Sequence, residues 1–124
     1  MNIVWAFLAS LSLVAISGCA ASKGASEENA VVHTVSAEEK AATQSRTPIK
    51  SDSAVLYVNG LGCPLCATNI DKQLLRVDGV ETATVNLGDG TVLITLAGKA
   101  RPSPYDLSES VLDAGFTLMK IETR

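Results

Sequence analysis

Two cysteines separated by two residues are the part of this sequence best suited to chemistry. They form the run Cys63-Pro64-Leu65-Cys66, which precedes a segment with helical periodicity. Residues three apart in the first turn of a helix share a face, so both sulfurs can point toward one ion. The free N–H groups and the positive dipole end of a helix favour thiolate, the form that ligates metal. The spacing predicts a two-thiolate site for a soft ion, with Cu(I) favoured.

The same pair of cysteines is open to other interpretations. A Cys63–Cys66 disulfide fits an exported protein, because the compartment it meets is oxidising. Thiol–disulfide exchange is a functional alternative, since CxxC at a helix start is also typical of thioredoxins. A thioredoxin fold, however, needs a longer chain, and the second strand predicted here returns as a hairpin. The remaining alternative is an interaction module that binds no metal.

The first elements that must position the pair are a strand and a helix. An alternating β-branched and aromatic run over 55–58 predicts a strand that stops at Asn59-Gly60. Pro64 is suited to a first helical turn, and apolar residues then recur at helical spacing until near Asp78-Gly79. The stripe consists of Ala67, Ile70, Leu74 and Val77. The pair therefore lies in the loop between the strand and the helix.

A hairpin, a second helix and a last strand follow. Strand-like runs over 80–87 and 91–97 flank Gly88-Asp89-Gly90, whose glycines permit the positive φ of a hairpin with a bulge. Ser103, followed by Pro104 and acidic Asp106, is typical of a helix N-cap, and 116–121 is strand-like. The order βαββαβ predicts an α+β, ferredoxin-like sandwich: a four-stranded antiparallel sheet with two helices on one face.

The run 60–66, set after a strand in a βαββαβ segment spanning 54–124, resembles the heavy-metal-associated (HMA) domain. That family includes copper chaperones, metal-binding modules of P-type ATPases and the periplasmic mercury-binding protein. The resemblance implies that Cys63 and Cys66 bind the metal. It also implies a monomeric domain that exchanges metal with a donor or acceptor protein. By position, the residues that support the metal loop are Gly60, Leu61, Gly62 and Phe116.

Two residues of the loop depart from the family pattern. Leu61 stands where Met is usual, and its similar volume should still fill the position. Gly62 stands where the family has Thr, or Asp in some zinc- and cadmium-selective members, so a carboxylate for harder ions is missing. Two thiolates in one chain also cannot complete a Cys₄ or Cys₂His₂ zinc cage. Zn(II) is therefore disfavoured against Cu(I), and the family adds Hg(II) and Ag(I).

The N-terminal segment predicts export and membrane attachment. The uncharged apolar run 3–16 is shorter than the ~20 residues of a membrane-spanning helix and fits a signal-peptide core. Ile16-Ser17-Gly18-Cys19 resembles the bacterial lipobox, which implies that residues 1–18 are a lipoprotein signal peptide and that Cys19 is lipidated. The alternatives are a plain cleaved signal peptide and an N-terminal anchor helix. Ala20 lacks the acidic signal for inner-membrane retention, which favours the outer membrane. We expect a cell-envelope protein facing the periplasm or the exterior.

The segment 19–53 is predicted to be a disordered tether between anchor and domain. It is rich in Ala, Ser, Thr, Glu and Lys and holds no aromatic residue, so it offers little burial to offset chain entropy. A helix over Ala37–Ala42 is possible but would be marginal alone. His33, the sole histidine, is interpreted as solvated rather than as a metal ligand.

Charge and composition exclude other classes of function. The formal net charge of −3 and the absence of a basic stripe argue against a nucleic-acid partner. A single His leaves no Ser/His/Asp set, so we expect no enzymatic turnover. Polar residues on the outer side of the first helix predict a solvated face or, as the alternative, a docking surface for a metal-receiving partner; they are Asp71, Lys72, Gln73 and Arg76.

Overall fold

The computed structural model describes residues 30–124. Its elements are α1 (Ala37–Ala42), β1 (Ser53–Asn59), α2 (Pro64–Leu74), β2 (Val80–Asn86), β3 (Thr91–Leu96), α3 (Pro104–Asp113) and β4 (Thr117–Thr123). The predicted signal peptide, lipidated Cys19 and first part of the tether lie outside the described residues. Within residues 30–124, none of the helices has the length and apolar character needed to cross a bilayer.

The four strands form one antiparallel sheet in the order β2-β3-β1-β4, and α2 and α3 pack on one face of it. The predicted ferredoxin-like fold is therefore confirmed. Alternate residues of β1, such as Leu56 and Val58, are fully buried beneath the helices, as the period of two requires. Leu56 lies opposite Val92 of β3 and Ile121 of β4. The central strand that leads to the cysteine pair is thus fixed from both sides.

The two sheet-packed helices begin as the sequence predicts. Cys63 is the N-cap of α2, with Pro64 in the first turn, and Ser103 is the N-cap of α3. In α3 the Ser103 backbone N–H and hydroxyl both donate to Asp106, and these hydrogen bonds lower the pKa of that carboxyl. The helix α2 ends at Leu74, earlier than predicted, because the chain then turns into β2.

The segment before β1 differs from the disordered tether that its composition predicts. Ser36 and Glu39 form a capping box that starts α1, and Thr43 and Ile49 are buried. The backbone N–H of Ile49 donates to the Pro102 carbonyl at 2.9 Å. This stretch is ordered by one aliphatic side chain buried in the core and by backbone hydrogen bonds to the domain. Amino-acid composition predicts neither of these contacts.

Helix α1 lies along β4, which is an edge strand of the sheet. Lys40 Nζ donates to the Leu118 carbonyl on that edge. Lys120 Nζ of β4 lies 2.8 Å from a Glu122 oxygen and 3.0 Å from a Glu39 oxygen, and these bonds raise the pKa of Lys120. Because exposed strand edges invite pairing with other chains, α1 protects this edge of the sheet.

Replacing Ile49 by Ala should lower the free energy of unfolding by about 2–4 kcal/mol, because it removes a buried aliphatic group and leaves a cavity. Urea denaturation followed by circular dichroism measures this change. The neighbouring exposed Lys50→Ala is the control and should have little effect. Equal stabilities of the two variants would show that this segment does not pack on the domain.

Candidate metal centre

The loop between β1 and α2 brings the two cysteines together. Cys63 has extended backbone angles, φ −141° and ψ 149°, which turn its side chain back over the start of α2. Its sulfur accepts a hydrogen bond from the backbone N–H of Cys66 at 3.2 Å. The structure shows the pair as a disulfide, with 2.07 Å between the sulfurs. The expected shared face is therefore present, in the oxidised form that the sequence left as an alternative.

The surroundings of the pair favour thiolates once the disulfide is reduced. Both cysteines are partly exposed, and Leu65 between them is 85% exposed. The first turn of α2 contains no acidic residue, so its N–H groups and dipole act on the sulfurs without a nearby carboxylate in that turn. Two adjacent thiolates open to solvent can hold a soft ion and leave room for an incoming third ligand.

The predicted support residues surround the loop from the core side. Leu61 is fully buried in the hydrophobic core, where the resemblance expects Met. Gly60 has φ +98°, and a Cβ there would lie 3.2 Å from Cδ1 of Phe116. Phe116 is itself 9% exposed and belongs to the same core. The loop thus turns sharply over the Phe116 ring, enters the core at Leu61 and returns to the surface at Cys63.

Gly62 lies on the outer side of the loop, beside a residue that sequence reasoning missed. A Cβ on Gly62 would lie 3.2 Å from Cβ of Ala30, in the segment expected to be a tether. The only signal in the sequence is the absence of a side chain at a position where the resembled family has Thr. Its structural meaning becomes clear only when the preceding segment is seen to pack there.

His33 is half-buried, not solvated as its sequence context suggests, and its hydrogen bonds are with Asn59 and Gly90. Its Nε2 lies 2.9 Å from the Gly90 carbonyl, and its ring meets that of Tyr57 edge-on at a centroid distance of 5.2 Å. Among residues 30–124 the structure shows no group of three or more His, Cys, Asp or Glu side chains placed to hold a metal ion. Cys63 and Cys66 are therefore the candidate ligands in this part of the chain.

Comparison with known proteins places the chain in a family. The profile of the heavy-metal-associated domain matches residues 55–117, half of the chain, and includes both cysteines and the loop. The chain therefore belongs to the heavy-metal-associated domain family, as the loop residues and the fold predict.

Two similar proteins are copper-exporting P-type ATPases. A copper-exporting P-type ATPase of Bacillus subtilis is 33% identical over 70 residues, 56% of this chain and 9% of the ATPase. The corresponding ATPase of Vibrio cholerae is 33% identical over 56 residues, 45% of this chain and 6% of the ATPase. The chain therefore spans less than a tenth of these relatives, and the likeness concerns one domain of each.

A solved structure shows the same similarity at the level of the fold. It is the solution structure of the N-terminal domain of a potential copper-translocating P-type ATPase from Bacillus subtilis in the Cu(I)-loaded state. The two chains are 34% identical with a TM-score of 0.50, over 56% of this chain and 86% of that domain.

Replacing Gly60 by Ala should destabilise the protein and weaken metal binding. A positive φ costs a non-glycine residue about 1–2 kcal/mol, and the new Cβ also presses on Phe116. Gly115→Ala is a matched control, since Gly115 has φ +91° but no atom within 4 Å of an added Cβ. Chemical denaturation should therefore show a larger loss for Gly60→Ala, and only that variant should bind metal less tightly. Identical losses would refute the role of the Gly60 and Phe116 contact.

Proposed function

We propose that this protein is a cell-envelope lipoprotein that binds one soft metal ion through Cys63 and Cys66 and transfers or sequesters it. The observation that carries the proposal is the placement of two adjacent, partly exposed sulfurs at the start of α2 in an HMA domain. The similarity to domains of copper-exporting ATPases supports Cu(I) as the ion.

The ligand set supports a soft ion over a hard one. Two thiolates suit Cu(I), and the same two-coordinate arrangement would accept Hg(II) or Ag(I). Gly62 offers no side-chain oxygen beside Cys63, and Zn(II) prefers four closed ligands in a structural site. We therefore rank Cu(I) first, Hg(II) and Ag(I) next, and Zn(II) last.

The proposed mechanism is ligand exchange between proteins. A thiolate of a donor or acceptor protein approaches the exposed side of the pair near Leu65 and adds as a third ligand. The two original Cu–S bonds then break in turn as thiolates of the partner replace them, and the ion leaves with the partner without passing through a free state. This step changes no oxidation state and needs no general acid or base, so the protein acts as a carrier rather than as an enzyme.

The disulfide itself favours a second candidate function, thiol–disulfide exchange. A partner dithiol would reduce the Cys63–Cys66 bond with two electrons and two protons and would become a disulfide itself. The two functions are linked, because only the reduced pair can bind metal. An interaction module that binds no metal is the remaining alternative.

The N-terminal sequence supports the proposed location in the cell envelope. The lipobox-like run ending at Cys19 supports lipid attachment, and Ala20 supports the outer membrane over the inner one. The protein would then face the periplasm or the exterior, close to metal donors and acceptors of the envelope.

Anaerobic titration of the reduced protein lacking residues 1–19 should show one Cu(I) ion bound per chain. We expect tighter binding than for Zn(II), and loss of binding in the Cys63→Ser/Cys66→Ser double variant. Competition with a chromophoric Cu(I) chelator measures the affinity, and Hg(II) is titrated in parallel. Equal Cu(I) binding by the double variant would refute the site. Catalytic disulfide reduction or oxidation in the absence of metal would instead support the redox candidate.

Replacing Cys19 by Ser should release the full-length protein from the membrane fraction of a producing bacterium and remove the mass of the lipid. Intact-mass spectrometry and fractionation measure both effects. The Cys63→Ser/Cys66→Ser variant is the control and should stay lipidated. Membrane retention of Cys19→Ser at the parent level would refute lipid attachment.

A further inference from the structure

We propose that residues 30–35, called the strap below, hold the metal loop (residues 60–63) in the conformation that pairs the two cysteines. In this proposal His33 and Asn59 are positioning residues for the metal centre, and the inference rests on metal binding by Cys63 and Cys66. Three contacts between the strap and the domain carry it.

The first contact is a pair of hydrogen bonds between His33 and Asn59. The His33 backbone N–H donates to Oδ1 of Asn59 at 2.6 Å, and Nδ2 of Asn59 donates to the His33 carbonyl at 3.4 Å. The side-chain amide thus pairs with the strap backbone as a neighbouring strand would. Because Asn59 is the last residue of β1 and precedes Gly60, this contact fixes the point at which the metal loop begins.

The second contact is made by the His33 ring. Nε2 lies 2.9 Å from the Gly90 carbonyl, which also accepts from the Val58 N–H at 2.9 Å. A carbonyl oxygen can only accept, so Nε2 carries the hydrogen in this bond. A Cβ on Gly90 would lie 2.9 Å from both His33 Nε2 and Val31 Cβ. The strap therefore requires the space that a glycine leaves at the start of β3.

The third contact places Ala30 against the metal loop itself. A Cβ on Gly62 would lie 3.2 Å from Ala30 Cβ and 3.4 Å from Ala30 Cα. Gly62 does not have a positive φ, so its backbone does not require glycine. Space for the strap explains the missing side chain. Gly90 also leaves room for the strap, but its φ of +63° already favours glycine in the hairpin turn, so Gly62 is the more specific sign of the contact.

The contacts together hold the loop from the side opposite the core. Leu61 anchors the loop inward, while Asn59 and Gly62 on either side of it meet the strap. A loop ordered before the ion arrives loses less conformational freedom on binding. The strap should therefore tighten metal binding without touching the ion.

The test uses residues 19–124 with Cys19→Ser in every protein, so that Cys63 and Cys66 are the only thiols. In the reduced, metal-free protein, His33→Ala and Asn59→Ala should speed amide hydrogen exchange of residues 60–63 by about three- to tenfold, the factor expected for one net hydrogen bond. Both should weaken Cu(I) binding by a similar factor in chelator competition. Val32→Ala is the matched control, because Val32 lies in the strap but is 74% exposed.

Two further variants separate positioning from general stability. His33→Gln keeps an N–H that can reach the Gly90 carbonyl and should restore slow exchange of the loop. Gly62→Thr acts from the other side and should speed exchange of residues 31–35. Exchange of the buried amides of Leu56 and Ile94 should change little in either alanine variant.

The proposal is overturned if His33→Ala and Asn59→Ala show the same loop exchange and the same Cu(I) affinity as Val32→Ala. It is also overturned by faster exchange that is equal in the loop and in the buried strands, since that would indicate destabilisation of the whole domain. The exchange measurement needs no metal, so it is independent of the proposed function. If the loop exchanges faster in His33→Ala and Asn59→Ala than in the parent, but the parent binds no Cu(I), the strap's hold on the loop is supported and the metal-carrier function is refuted.

Discussion

The burial of Leu61 is the constraint on which the geometry of the candidate metal centre depends. This side chain is fully enclosed by the core although it lies only two residues before Cys63. The chain must therefore descend into the core directly after β1 and rise again to begin α2. Gly60 makes the descent possible through its positive φ, and the extended backbone of Cys63 makes the return. A buried aliphatic residue thus determines where the two reactive sulfurs emerge.

The fold was largely predictable because its signals are local. Period-two runs mark the strands, Ser103 with Asp106 marks the start of α3, and the hairpin glycines mark the turn between β2 and β3. The segment before β1 was not predictable in the same way. Its order depends on the burial of Thr43 and Ile49 and on hydrogen bonds to residues more than fifty positions away. Composition reports how much apolar surface a segment has, and not whether one residue finds a place in a distant core.

The metal centre was predictable in part for a related reason. Cys63 and Cys66 are close in sequence and share a helix start, so their proximity follows from helix geometry alone. Two other contacts join residues that are far apart in the sequence: Gly62 with Ala30, and His33 with Gly90. Sequence periodicity does not predict such contacts. The one local sign in the sequence that another segment lies alongside was Gly62, which stands where the family has Thr.

The course of residues 30–52 also places Ala30, the first residue that the structure describes, at a particular end of the domain. This segment begins beside Gly62 and leads to Ser53, the end of β1 far from the metal loop, so Ala30 lies at the same pole of the domain as the cysteines. Ten residues lie between Cys19 and Ala30, so the eleven steps from one to the other span at most about 40 Å. Under the proposed lipid attachment at Cys19, the pole that carries the cysteines would stay within that distance of the bilayer surface.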